Sequence, residues 1–270
     1  MTPVIRLAAL AAVAVSLAAC ASRAARPATS PTAQADSAKK DLPWKPWAEV
    51  TKDAQQVHGL FTGYLKRDNA YLAIKPDQFD RDYLLVAQLA QGLGDFGFDG
   101  GTSLRSDLVR FHRTGTKVEL RLVNPYLTAT PGTPMARTVA YSFGGSVAYS
   151  FPIASIRDTT NEVLIDLTPF LLSDWADVGG FFDFVVQALS LRGGVSLDKE
   201  RSAFERMRMF PANVEMDARI SFLASKPLGI ATVPDYRYLP MTLHYSLLEL
   251  PATPMRPRVA DDREIGRAHV

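Results

Sequence analysis

Cysteine is almost absent from this chain: among 270 residues there is one, Cys20. A single thiol excludes an intramolecular disulfide and any cysteine cluster for a metal, even in an oxidising compartment. Histidine is scarce too. Of four, His269 falls in an odd terminal segment, which leaves His58, His112 and His244. None of these is paired at i, i+4 spacing, and no H-E-x-x-H pattern occurs, so nothing argues for a zinc site. Charge of one sign is lacking as well. With 30 basic and 28 acidic side chains the net charge is +2, and no electrostatic reason points to nucleic acid as a partner. No internal apolar run reaches the roughly 20 residues that span a bilayer.

What is present begins with a three-part leader. Arg6 supplies a basic start, Leu7 to Ala19 an apolar run, and small residues precede Cys20. The run is too short for a permanent membrane helix and reads as a secretory signal that is removed. Its end, Leu17-Ala18-Ala19-Cys20, resembles the bacterial lipobox, in which cleavage just before the cysteine leaves a thiol to accept a lipid. Residues 1–20 are therefore expected to be a lipoprotein signal peptide, with Cys20 as the lipidation site. Ala21, rather than Asp, after the cysteine resembles lipoproteins passed on to the outer membrane, so the expected location is the cell envelope. Residues 21–41 are rich in Ala, Ser, Thr and Pro without apolar periodicity. Such a stretch cannot bury enough surface to offset its ordering entropy and reads as a disordered tether.

At the other end, Glu264-Ile265-Gly266-Arg267-Ala268-His269-Val270 matches the in-frame translation of a common sequencing adapter. On that reading residues 264–270 are an artefact, the protein continues past Arg263, and the chain is a truncated fragment.

Residues 42–263 have an ordinary globular composition, 47% hydrophobic and 21% charged for the whole chain. Period-two alternation dominates, which marks half-buried strands. Val214, Met216, Ala218, Ile220 and Phe222 share one face, and Asn213, Glu215, Asp217, Arg219 and Ser221 the other. Arg67-Asp68-Asn69 is expected to close a hairpin between Gly59–Lys66 and Ala70–Lys75. Thr114-Gly115 is expected to close another between Leu108–Arg113 and Lys117–Val123. Asp198 to Met209 has the charge density of a surface helix, with Asp198 as its N-cap and Phe210-Pro211 as its stop. Gly180 to Leu191 is apolar almost all round and reads as a buried or interface helix. An Ala-Tyr-Ser-Phe repeat at Ala140–Phe143 and Ala148–Phe151 reads as aromatic residues on one bent strand or two adjacent strands. The expected class is α+β and β-rich, with antiparallel sheets in a meander and a few helices.

Several candidate sites fail on context. Gly92-Leu93-Gly94-Asp95-Phe96-Gly97 matches G-x-G-x-x-G, but more loop and a strand follow where a phosphate-binding helix should start. Ser146 sits in a near-match to the nucleophile elbow, between strand-like stretches and with Ala148 in place of the second glycine. His112 and His244 share strand faces with Arg110 and with Thr242 and Ser246, which solvation explains. Asp166, Asp174 and Asp177 need no catalytic explanation, and Asp166, just before Thr168-Pro169, reads as a turn or capping residue before a general base.

The order of segments then carries a resemblance. Gly59-Leu60-Phe61, Tyr71-Leu72-Ala73-Ile74, Tyr83-Leu84-Leu85 and Val109-Arg110-Phe111 are followed by Ser150-Phe151-Pro152-Ile153 and Val163-Leu164-Ile165-Asp166-Leu167-Thr168. Ser173-Asp174, Pro211-Ala212-Asn213-Val214-Glu215 and Met255-Arg256-Pro257-Arg258 through Arg263 complete the series. This string resembles the large N-terminal domain, of unknown function, of a bacterial family of exported zinc-dependent metalloproteases with a metzincin-like catalytic domain downstream. The resemblance implies that the zinc ligands lie beyond Arg263, so no catalytic, cofactor-binding or metal residue is assigned within this chain. It implies a non-catalytic role, covering or supporting a downstream protease domain. The partners expected are that domain, a peptide substrate and, through Cys20, the membrane. The alternative is a complete β-rich envelope lipoprotein that binds a ligand or partner.

Overall fold

The computed structural model describes residues 42–190, 192–226, 230–253 and 255. The leader, Cys20, the tether and residues 264–270 lie outside the described residues.

Eleven antiparallel strands form one continuous sheet. In chain order they are β1 (Gln55–His58), β2 (Thr62–Lys66), β3 (Asn69–Ile74), β4 (Asp82–Gln91), β5 (Ser103–Thr114), β6 (Lys117–Val123), β7 (Val147–Ile156), β8 (Val163–Asp166), β9 (Val195–Met209), β10 (Asn213–Ala224) and β11 (Tyr238–Glu249). In space the order is β1-β2-β3-β8-β7-β6-β5-β4-β11-β10-β9. The expected meander is thus three meanders spliced together, with β8 returning to β3 and β11 returning to β4. The two hairpins form where expected. Arg67 and Gly115 take positive φ, as tight hairpin loops that follow the strand twist require.

The sheet curls until its edges nearly meet. The amide of Leu60 donates to the carbonyl of Phe210 at 2.7 Å, joining the β1–β2 turn to the end of β9. A nearly closed barrel hides most of the edges that an open sheet would expose. Its interior is filled from every strand by side chains such as Leu72, Leu85, Phe111, Leu120, Phe151 and Met216. A residual space of about 20 Å³ among them has room for roughly one water.

Helices are short: α1 (Trp47–Val50), α2 (Pro134–Ser142), α3 (Thr168–Leu171) and α4 (Val178–Ala188). The domain is therefore mostly β, and the α+β expectation is corrected. The decisive element is Asp198–Met209, which is not a helix but most of β9. Asp198 does accept the amide of Arg201, three residues on, as an N-cap would. That bond closes a bulge rather than a helical turn. Lys199–Ser202 leave the ladder, Ser202 Oγ receives the amide of Ser221, and pairing resumes at Ala203 with Arg219. The Ala-Tyr-Ser-Phe repeat is corrected too. Its second copy lies on β7, but the first ends α2, begun by Thr133 whose hydroxyl accepts the amide of Ala136 with Pro134 next.

Strands β8 and β9 are seven places apart in the sheet, so the chain between them must cross the barrel. It does so as a plug. Phe170, Leu171, Trp175, Val178, Phe182 and Val186 are buried, and Phe182 stacks on Phe98 of the β4–β5 loop at 4.1 Å. The short Lys75–Arg81 link crosses the opposite end, where the buried Gln78 amide donates to the carbonyl of Leu60. The pairings Ala224↔Val195, Gln91↔Thr242, Arg121↔Val147 and Tyr71↔Asp166 put every long connection at the plug end. On the outside, α1 covers Tyr64, Ala73 and Leu164, so β8 is buried on both faces and loses the alternation of a half-buried strand.

Candidate functional site

The outer face of β9–β11 gathers the densest polar cluster. Register places Asp217 opposite His244 and Arg206, and Glu215 opposite Ser246. His244 Nδ1 lies 2.5 Å from Asp217 Oδ1, and its Nε2 lies 2.8 Å from Glu215 Oε2. Ser246 Oγ is 3.3 Å from His244 Nε2, which brings Ser, His and Asp into the order of a hydrolytic triad. The proton bookkeeping disagrees. Ser246 donates to Glu215 at 2.5 Å, and both ring nitrogens of His244 face carboxylate oxygens, so the serine proton is directed at a carboxylate rather than at the imidazole. Arg206 also binds Asp217, and Asn213 binds Glu215. The cluster is an ion network that lets Asp217 be buried outside the barrel wall. The two carboxylates sit on opposite sides of one imidazole and cannot close on a common metal ion with it. Among the described residues no group of three or more His, Cys, Asp or Glu side chains is placed to hold a metal.

The other sequence candidates stay apart. His58 is exposed on β1, and His112 Nδ1 lies 2.6 Å from Asp80. Ser146 is exposed just before β7, and its carbonyl accepts the amide of Leu122. The Gly92–Gly97 loop spends its amides internally: Leu93 and Gly94 donate to the Phe98 carbonyl, and Phe96 to the Asp95 carboxylate. Gly92 is required there because a Cβ would collide with the Phe98 carbonyl. Asp166 caps as expected, taking the amide of Thr168 and the side-chain amide of Asn69. Asp174 takes the amides of Val178 and Gly179 at the start of α4, while Asp177 adopts a left-handed φ of 59°. Burial pushes the Asp174 carboxyl above its ordinary range, against the lowering effect of those two amides. It is a capping group that carries a burial penalty.

What the sequence did not locate is a groove. On the flank of the barrel, an open hollow of about 910 Å³ runs beside β7 where β8 turns away into α3. Leu42, Pro43 and Trp44 form one wall, and Phe151, Pro152, Ile153 and Pro169 form the floor. Tyr71, Tyr149, Lys66 and Asp166 supply its polar groups. Burial first, and then the charge of Asp166, push both phenols above the ordinary tyrosine range, so they stay neutral donors. Lys66 is anchored, donating to the carbonyl of Val50 at 2.9 Å. Each groove residue has a separate structural reason in the sequence, and only the divergence of β7 from β8 brings them together.

These features define a nearly closed antiparallel barrel, packed solid, plugged at one end and grooved on its flank. The chain belongs to the family of a domain of unknown function, DUF5117, whose model matches residues 101–266. That match starts between β4 and β5, so the barrel extends beyond it to strands β1–β4. No curated protein and no solved structure matches the chain.

Proposed function

We propose that this chain is the lipid-anchored, non-catalytic N-terminal domain of a cell-envelope zinc-dependent metalloprotease, supporting the protease domain and holding extended peptide in the flank groove. The groove carries the reading. Buried side chains fill the barrel interior and the space among Leu72, Phe111 and Met216 holds about one water, which favours a ligand site on the outside. Neutral phenols of Tyr71 and Tyr149 suit the carbonyls of an extended backbone, and the exposed Leu42, Pro152 and Pro169 suit its apolar side chains. The lipobox at Leu17–Cys20 supports the anchor, and the order of segments up to Arg263 supports the connection to a protease. The same groove serves the alternative, a complete envelope lipoprotein that binds a partner.

Reading the parent gene past the codon for Arg263 separates the two. The expected result is an open frame running into H-E-x-x-H; a native stop codon there removes the protease and leaves the binding protein. For the chain itself, a peptidase assay with added zinc is expected to give no hydrolysis, and hydrolysis abolished by a chelator would refute the non-catalytic role. The groove is tested by titrating extended peptides against the chain and against Tyr71→Ala/Tyr149→Ala. Binding is expected to weaken in the double variant, and equal binding moves the peptide site elsewhere.

A further inference from the structure

The two ends of the barrel differ in kind. The end away from the plug is closed by the short Lys75–Arg81 link and tight turns, including the Gly115-Thr116 hairpin loop. The plug end carries every long connection, and most of the large apolar side chains exposed on the described domain stand there. On the β6–β7 connection Tyr141 is 95% exposed and Tyr126 91%, with Met135 and Phe143 exposed beside them in sequence. On α4, Phe184 is 63% exposed and Leu189 is exposed beyond it, while Phe182 and Val186 face inward. The helix is thus apolar on both sides, although among the described residues only one side is packed.

Charge is missing from the same surfaces. Residues 124–146 contain one charged side chain, Arg137, and residues 178–190 contain one, Asp183, in a chain that is 21% charged overall. A face meant for water is not built this way, and an exposed apolar patch of this kind marks an interaction surface. Its exposed Phe, Tyr and Leu are side chains that enter the headgroup and acyl boundary of a bilayer.

We propose that the plug end of the barrel lies against a lipid bilayer, with Phe184 and Leu189 of α4 and the aromatic residues of the β6–β7 connection inserted into its interface. The reading of Cys20 as a lipid anchor, on which this proposal rests, selects the bilayer over a protein partner. Twenty-one residues separate Cys20 from Leu42, a reach of at most about 75 Å. Leu42 enters the domain beside Pro169 of α3, in the groove next to the plug. By contrast, β11 runs away from the plug and ends at Glu249, opposite Tyr83 at the far end. Docking the plug end would hold the groove beside the membrane and point Glu249 away from it. Because the apolar surface carries so little charge, the contact is driven by apolar burial and should depend little on salt.

The chain provides its own labelling scheme. If Cys20 carries lipid, its thiol is consumed and a cysteine introduced by Phe184→Cys, Tyr141→Cys or Lys117→Cys is the sole reactive one. All three positions are exposed, so the substitutions leave the packing intact. The full chain is labelled with an environment-sensitive fluorophore and mixed with vesicles of phosphatidylethanolamine and phosphatidylglycerol. The labels at 184 and 141 are expected to shift to the blue and to be quenched by lipids brominated in the acyl chain, with the label at 117 unchanged. Repeating the measurement in Cys20→Ser separates the two readings. Burial of the 184 label in either background supports docking. No burial, with the thiol of the unmutated chain blocked, overturns docking and leaves the anchor standing. No burial, with that thiol freely labelled, overturns both.

Discussion

Leu60 and Phe210 are the clasp of the barrel. They lie 150 residues apart in sequence, and the amide of one meets the carbonyl of the other at 2.7 Å. Gly59 permits this approach, because a Cβ there would lie 2.5 Å from the Phe210 carbonyl oxygen and 2.8 Å from the Met209 carbonyl carbon. Both are backbone atoms and cannot move aside singly. Gly59→Ala is expected to cost about 1–3 kcal/mol, the usual range for overpacking, and to open the seam. Urea unfolding measures the loss, and faster hydrogen exchange at the Leu60 amide locates it. An unchanged midpoint would show that the seam does not contribute to stability.

The plug depends on Phe182, which is almost fully buried between Phe98 and Phe222. Phe182→Ala is expected to cost about 3–5 kcal/mol, the range for emptying an aromatic core site. Phe184→Ala, one residue pair away on the exposed face of α4, is expected to change stability by less than about 0.5 kcal/mol. Thermal unfolding of the two variants side by side checks the orientation of α4, and equal losses would contradict it.

Asp174 makes stability respond to pH. Its folded-state carboxyl is raised above the unfolded value of 3.8 by burial, so folding favours the protonated form. Its stabilising contribution is complete below 3.8 and is lost as pH rises through the raised folded value. Asp174→Asn removes that titration. From pH 4 to pH 7 the stability of the variant is expected to rise relative to the parent, measured as the gap between their melting temperatures. A gap independent of pH would show that Asp174 titrates alike in the folded and unfolded chain.

Ser246 is expected to behave as a structural hydroxyl. A fluorophosphonate probe should leave it unlabelled, because its hydroxyl already donates to Glu215 and His244 is engaged by two carboxylates. Ser246→Ala removes one hydrogen bond and is expected to cost about 0.5–1.5 kcal/mol. Mass spectrometry after labelling tests the first point, and labelling at Ser246 would restore the triad reading.

Much of the sheet was legible in the residues. Strand β10 alternates without a break, and its inward set, Val214 to Phe222, is buried as a period of two demands. Strand β9 was not legible. The bulge at Lys199–Ser202 shifts its phase, so Leu197 and Phe204, seven residues apart, both lie opposite the inward set of β10, and the surrounding charges imitate a helix surface. Asp198 forms the same local hydrogen bond in either structure, which is why capping chemistry alone named the wrong element. Thr133-Pro134 marks the start of α2, whereas Ala-Tyr-Ser-Phe, repeated at Ala140–Phe143 and on β7, fits helix and strand alike. The groove had no local signature. Trp44, Lys66, Tyr71, Tyr149 and Asp166 come from four separate stretches of chain, and each looks ordinary in its own stretch.

Composition, period and turn chemistry act over a few residues, and so the sequence by itself determined the regularly alternating strands, the tight hairpins, the near-neutral charge and the apolar character of α4. Closure, the crossing of the plug and the direction each polar cluster faces depend on which strands become neighbours. That choice rests on contacts between distant residues, where Leu60 meets Phe210 and Asp217 meets His244. No local pattern encodes such pairings, because their energy exists only once the whole sheet has curled.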